Sequence, residues 1–232
     1  MKHLSKKQKM QKTLKVCLMM DCTASMTPWL AAAKDRLLNC LKTVKTEYPE
    51  YEISVAFIGY RDYTDDEKII TVDFTTDHMK VKNRISLVQA EGGDDAAEDV
   101  SGAYRLAASL DWNANVKLLF HICDAPAHGI SYHVPDYGDD HPEDDYKNPL
   151  EPHVERLALK NVDINVIELN ESTRMMVDVM HETYRRVRPI GGFGSDSVSR
   201  QDSQNPTNYF QRMFSSRMTR SIARSQDPDT LS

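Results

Sequence analysis

Val16-Cys17-Leu18-Met19-Met20-Asp21-Cys22-Thr23-Ala24-Ser25 is the stretch from which the fold is read. Five apolar residues in a row are too few for a helix and fit a strand buried on both faces of a sheet. The chain turns polar at once with Asp21. Alternate residues of an extended segment point to one side, so Asp21, Thr23 and Ser25 can converge on a single hard cation. One carboxylate and two hydroxyls suit the octahedral oxygen shell of Mg²⁺ or Mn²⁺ and do not suit Zn²⁺.

Two further segments carry the same logic. Val116–Cys123 (VKLLFHIC) is a second buried strand, followed by Asp124-Ala125-Pro126-Ala127-His128-Gly129. Asp124 thus stands at a strand's carboxyl end, where ligands bind in open α/β sheets. Between the two lies Gly92-Gly93-Asp94-Asp95-Ala96-Ala97-Glu98-Asp99, a glycine turn that opens a helix expected over Asp95–Leu110. Acids in its first turn complement the helix dipole.

The remaining periodicities fill in the architecture. Apolar residues at helical spacing from Leu30 to Val44 predict a helix after Thr27-Pro28, ending near Thr46. Tyr51–Tyr60 and Lys68–Phe74 predict strands joined by the polar loop Arg61–Glu67, the latter an antiparallel edge. Helices are expected over Asp77–Gln89, Leu150–Lys160 and Ser172–Arg186, a strand over Val162–Leu169 and a short sixth strand at Val187–Ile190. Strands alternating with helices predict a doubly wound α/β fold. Its central sheet is mostly parallel with one antiparallel edge strand, and helices cover both faces. Right-handed crossovers then bring Asp21 and Asp124 to one edge.

Asp-x-Thr-x-Ser after the first strand, a Gly-Gly loop bearing acids, and Asp-Ala-Pro-x-His-Gly after a later strand together resemble the von Willebrand factor A domain. Asp124–Asp145, with its DAPAHG and acidic Asp/Pro run, is most similar to the intracellular A domains associated with atypical alpha-kinases. The resemblance runs from about Leu14 to the last helix. It implies a metal-ion-dependent adhesion site in which Thr23 and Ser25 bind Mg²⁺ (or Mn²⁺) through hydroxyls, and Asp21 and Asp124 bind directly or through water. The family's third loop usually offers a Thr; the matching position here is Asp95, with Asp94 the neighbour that could replace it. Three carboxylates give the ion site a formal charge of −1, which favours the cation and disfavours a partner's carboxylate. Asp94, His128, Asp139 and Asp140 are candidate partner-binding residues beside the ion. His128, His133 and His141 near Asp136, Asp139, Asp140, Glu143, Asp144 and Asp145 leave open a second metal site or a solvated acidic loop. Thiol ligation through Cys22 or Cys123 would need a softer metal.

Composition narrows the function. The 232 residues suit one α/β domain with tails. The expected division is a basic tail over 1–13, the domain over 14–190, a linker over 191–205, a packed helix over 206–224 and a disordered tail over 225–232. Phe210, Met213, Phe214, Met218 and Ile222 form the stripe of that last helix. Residues 1–15 hold six Lys and no acid, and 185–232 hold eight Arg and four acids; with a net charge of −6, the body between them carries −16. Such a body disfavours nucleic acid. Four cysteines, none in a C-x-x-C pair, fit buried thiols in a reducing compartment. With no transmembrane run and no apolar stretch before Val16 to serve as a secretory signal, the expected location is cytoplasmic.

The expected function is a metal-dependent module that binds a protein partner, not an enzyme. One alternative is a regulatory or targeting domain of an alpha-kinase-type signalling system. Arg212–Ser215 and Arg217–Ser221 offer phosphorylation sites that could move the last helix. A Mg-dependent phosphohydrolase is the enzymatic alternative. It would want a second Asp at the position of Thr23, whose hydroxyl is no useful general acid.

Overall fold

The structure, a computed structural model, describes residues 11–190, 192–198 and 206–226, without the side chains of residues 37, 38, 206–211 and 226. Most of the expected basic tail, part of the expected linker and the residues after 226 lie outside this range.

Strands β1 (Lys12–Asp21), β2 (Tyr51–Tyr60), β3 (Ile69–Thr75), β4 (Val116–Cys123), β5 (Asp163–Glu168) and β6 (Phe193–Ser197) form one sheet in the order β3-β2-β1-β4-β5-β6. Only β2 and β3 pair antiparallel; the other pairs are parallel. The helices are α1 (Thr27–Glu47), α2 (His78–Leu87), α3 (Val100–Ser109), α4 (Asp144–Lys147), α5 (Glu151–Leu159), α6 (Arg174–Val187) and α7 (Pro206–Gln226). The expected mostly parallel sheet with an antiparallel edge, covered on both faces, is therefore what forms.

Alternation along β1 divides the core. Leu14, Val16, Leu18 and Met20 face α1, α2 and α7 in one cluster, while Cys17 and Met19 face α3, α5 and α6 in the other. Central strands have no solvent side, so the run is continuously apolar. In α7, Met213, Phe214, Met218 and Ile222 are buried, and Phe214 stacks on Phe120 of β4 with ring centroids 4.0 Å apart. Phe210 belongs to the residues whose side chains are not described.

Four expectations are corrected. β1 begins at Lys12, so residues 12 and 13 belong to the sheet and not to a tail. The sixth strand is not Val187–Ile190, because Val187 still ends α6. It is Phe193–Ser197, inside the stretch read as a linker. FGSDS lacks apolar alternation; the segment is extended because it ladders onto β5 and Phe193 stacks on His181 at 5.2 Å. Helix α3 starts at Val100 and not at Asp95. Asp99 is its cap, accepting from Gly102 N at 2.7 Å. Just before it Glu98 is held in an isolated bridge to Ala127, and its N–H donates to Pro126 O at 3.0 Å. Ser221 of α7 is 4 % exposed and donates to Asp163 at 2.7 Å, so the helix as packed shields it from a kinase.

All four cysteines are free and buried. Burial pushes the Cys22 thiol up to about 12 and Cys40 to about 11. Thiolates are the reactive form. A thiol reagent at pH 8 should therefore label none of the four in the native protein and all four after unfolding; rapid native labelling would show that the element carrying the labelled thiol opens.

Candidate metal centre

β1 and β4 are neighbours, with Met20 opposite Ile122. Asp21 and Asp124 therefore emerge side by side where chain connections leave in opposite directions across the sheet. Thr23 N and Thr23 Oγ1 both donate to Asp21 Oδ1, at 2.8 and 2.7 Å, and Thr23 Oγ1 lies 3.4 Å from Ser25 Oγ. The three residues of the first loop thus converge as their spacing implies.

Three loops close around them. Glu91 N donates to Cys22 O at 3.1 Å, and the buried Arg61 donates to the carbonyls of Cys22, Glu67 and Gln89. Its ion-pair partner is Glu91 at 3.3 Å, not the acids of its own loop. Gly93 has φ +87°, and a methyl built there would stand 3.1 Å from Glu98 Oε1 and 3.3 Å from Thr23 Cβ. Only glycine combines that backbone with that close approach.

The buried oxygens Asp21 Oδ2, Asp124 Oδ1 and Glu98 Oε2 have no hydrogen-bond partner. Burial first, then the charge of Asp124, push Asp21 up to about 7, against its hydrogen bonds from Thr23. Burial and then the charge of Asp21 push Glu98 up to about 10. Buried carboxylates without donors are costly; a proton shared by Asp21 and Asp124 relieves part of that cost, and a divalent cation would relieve both the crowding and the missing contacts.

Glu98, which the sequence reading placed in a helical first turn, is thus a further buried acid beside Asp21. Asp95 Oδ1 accepts from Ala97 N at 2.9 Å and its Oδ2 from Asp140 N at 2.7 Å. Asp94 is exposed and accepts from Thr64 Oγ1 at 2.5 Å. The missed signal was Asp99, whose place three residues before Gly102 marks it as a cap competing with Asp95.

Asp62, Asp95 and His128 make a second cluster, with ligand atoms within 4.8 Å of one another. His128 is 2 % exposed. Its Nε2 faces Asp62 Oδ1 and its Nδ1 faces Asp139 Oδ1, each at 2.8 Å. Burial opposes the charge, but the bonds to Asp62 and Asp139 outweigh it and raise His128 to about 9. Protonated, His128 makes this cluster an ionic clasp; deprotonated, the same three residues are a candidate metal site. Tyr63 caps it, stacked on His128 at 4.5 Å and donating to Asp144 at 2.6 Å.

Asp139 is the hub of the clasp and not a partner-facing acid. It accepts from the N–H groups of Gly129 and His141 and from His128 and His133, and its side chain is 2 % exposed. Against the opposing effect of burial, these donors hold its carboxyl down at about 2. Asp140 is exposed at the same edge. The stretch 136–145 is thus a folded loop, pinned by its inward acids.

A doubly wound sheet with an acid-and-hydroxyl cradle at its switch point defines a class of domain, and the comparisons agree with it. The von Willebrand factor A domain family matches residues 15–133, just over half the chain, and the chain belongs to that family. A curated relative, the alpha-protein kinase vwkA of Dictyostelium discoideum, is 28 % identical over 196 residues, covering 79 % of this chain and 30 % of its own length. The chain thus spans under a third of that relative. Among solved structures, the von Willebrand factor type A protein of Catenulispora acidiphila superposes with TM-score 0.54 at 12 % identity, over 88 % of this chain and 42 % of that one. The pilus adhesin SpaC of Lactobacillus rhamnosus GG, in its open conformation, does so with TM-score 0.56 at 13 % identity, over 88 % and 30 %. At such identities the likeness concerns the fold.

Proposed function

We infer that the chain is a divalent-cation-dependent protein-interaction module. The observation that carries this reading is the set of three buried, partnerless oxygens on Asp21, Asp124 and Glu98. With the hydroxyls of Thr23 and Ser25 they would hold Mg²⁺ (or Mn²⁺), supplying a hard Lewis acid at the edge of the sheet. Asp95 and Asp94 serve the surrounding loops. A protein partner would meet the ion at that edge, with Asp140 among the exposed acids. Three carboxylates over-neutralise the ion, so affinity for the cation is high and reliance on a partner's carboxylate low.

Similarity to a kinase-associated relative supports a targeting role beside an alpha-kinase-type enzyme. The reading is of a binding domain and not an enzyme, in the cytoplasm. No helix among the described residues is long and apolar enough to cross a membrane.

Calorimetric titration with Mg²⁺ tests the site. The wild type should show saturable one-site binding, lost in Asp21→Ala and Asp124→Ala. Glu98→Gln should weaken it about tenfold, or about 1.4 kcal/mol, and Asp95→Thr should leave it within about twofold. Equal loss in Asp95→Thr and none in Glu98→Gln would return the third-loop role to Asp95.

A further inference from the structure

A second site lies away from the cradle, under α7. A cavity of about 390 Å³ opens between that helix and the β5–β6 edge, lined by Asn165, Gly192, Gly194, Arg217, Arg220 and Arg224 among others. Its size is within the range of small-molecule pockets.

Two features mark it as built for an anion. First, three guanidiniums line it, those of Arg217, Arg220 and Arg224, and Arg188 joins them in one ion-pair network with two carboxylates. Asp163 pairs with Arg188 at 2.8 Å and Arg224 at 2.9 Å, and Asp196 pairs with Arg217. Arg220 bonds Ser216 Oγ at 3.0 Å, and among the described residues no carboxylate pairs with it. The set carries two positive charges in excess. Second, Asn165 is 5 % exposed, and its Nδ2 has no hydrogen-bond partner. A buried N–H donor left unmade is costly, and an anionic oxygen would satisfy it. Gly194 lets an arginine lie close over the strand: a methyl there would stand 2.6 Å from Arg217 Nη1.

We propose that this cavity binds a phosphate-bearing anion. Guanidinium forks match phosphate oxygens in pairs, and Asn165 Nδ2 donates from the sheet below. Two observations in different elements carry the site: the unbalanced arginines of α7 and the orphan amide of β5. Phosphate is favoured over a lone carboxylate because it has enough oxygens to meet Arg220, Arg217 and Asn165 together. The occupant would bridge α7 to the sheet, so its binding would hold that helix in place.

Inorganic pyrophosphate is the probe, titrated calorimetrically with EDTA present so that no metal mediates. One-site binding is expected, weakened at least tenfold by Arg220→Gln and by Asn165→Asp, which keeps the shape and replaces the donor with a negative charge. Arg220 is exposed, so that variant folds even where Asn165→Asp does not. Asp21→Ala should bind as wild type does, which separates this site from the cation cradle. Vesicles of phosphatidylcholine with phosphatidylinositol bisphosphate form a second arm. Capture of the protein by them would assign the phosphate to a lipid headgroup, and pyrophosphate binding without capture to a soluble ligand. Absence of binding in both arms, or binding unchanged in both pocket variants, would overturn the site.

Discussion

In chelator, the protein should lose stability as pH rises through about 7, and saturating Mg²⁺ should reverse that trend. Asp21 is raised from 3.8 to about 7, so the folded state keeps a proton that the unfolded chain releases. Stability from that proton is fully present below the ordinary aspartate range and is lost as pH climbs through about 7. Glu98, raised to about 10, carries the loss further into the alkaline range. Both groups act in the same direction, so stability in chelator should fall continuously from neutral into alkaline pH. A cation reverses it because it binds the deprotonated oxygens. At a hundredfold excess over Kd it adds about 2.7 kcal/mol, a rise in Tm of roughly 5–10 °C for a domain of this size. Asp124→Asn separates the two effects. It removes a like charge beside Asp21, so in chelator at pH 8 it should be more stable than wild type by on the order of 1 kcal/mol, yet gain nothing from Mg²⁺. Thermal unfolding across pH 5–9 with EDTA or Mg²⁺ gives the answer. A pH trend indifferent to Mg²⁺, or an Asp124→Asn variant that responds like wild type, would rule out a cation at these oxygens.

His128→Ala should cost about 3 kcal/mol, because it leaves Asp62 and Asp139 buried and unpaired. The loss should show in urea unfolding at pH 7 and be smaller in a background lacking Asp62, where only one carboxylate is abandoned. The pH dependence has a definite sign. His128 is raised to about 9, so its contribution is whole below the ordinary histidine range near 6.5 and vanishes as pH rises through about 9. Asp139, lowered to about 2, gives stability that is present above its ordinary 3.8 and lost as pH falls toward 2. Wild type and His128→Ala should therefore converge in stability above about pH 9. The loop 129–148 should also become sensitive to protease in the variant, since Tyr63 loses its stacking partner. A variant as stable as wild type at pH 7 would mean the clasp contributes nothing net.

Much of the architecture was legible because it rests on local signals. Val16–Met20 and Val116–Cys123 are continuous apolar runs, and such runs have no place but the middle of a covered sheet. The polar residues that end them, Asp21, Thr23, Ser25 and Asp124, are carried by the strand ends to one edge whatever the loops do. The β-formers of Tyr51–Tyr60 and the stripe of the last helix are likewise properties of neighbours in sequence.

What the sequence by itself determined was the order of the strands, the burial of the central ones and the oxygen donors carried by the first and last loops. Only the tertiary structure decided which acid lies beside Asp21 and which acids close the loops. Asp94, Asp95, Glu98 and Asp99 differ little as a string. Glu98 faces the cradle because its backbone is pinned to Pro126 and Ala127, residues about 30 positions away in the chain. Asp139 became a buried hub because His128, His133 and two backbone N–H groups surround it, which no local pattern of charge displays. The edge strand at Phe193 formed for the same kind of reason, by pairing with β5 and not by its own propensity. Local chemistry selects helix, strand and donor type; hydrogen bonds between distant segments select which donor stands where.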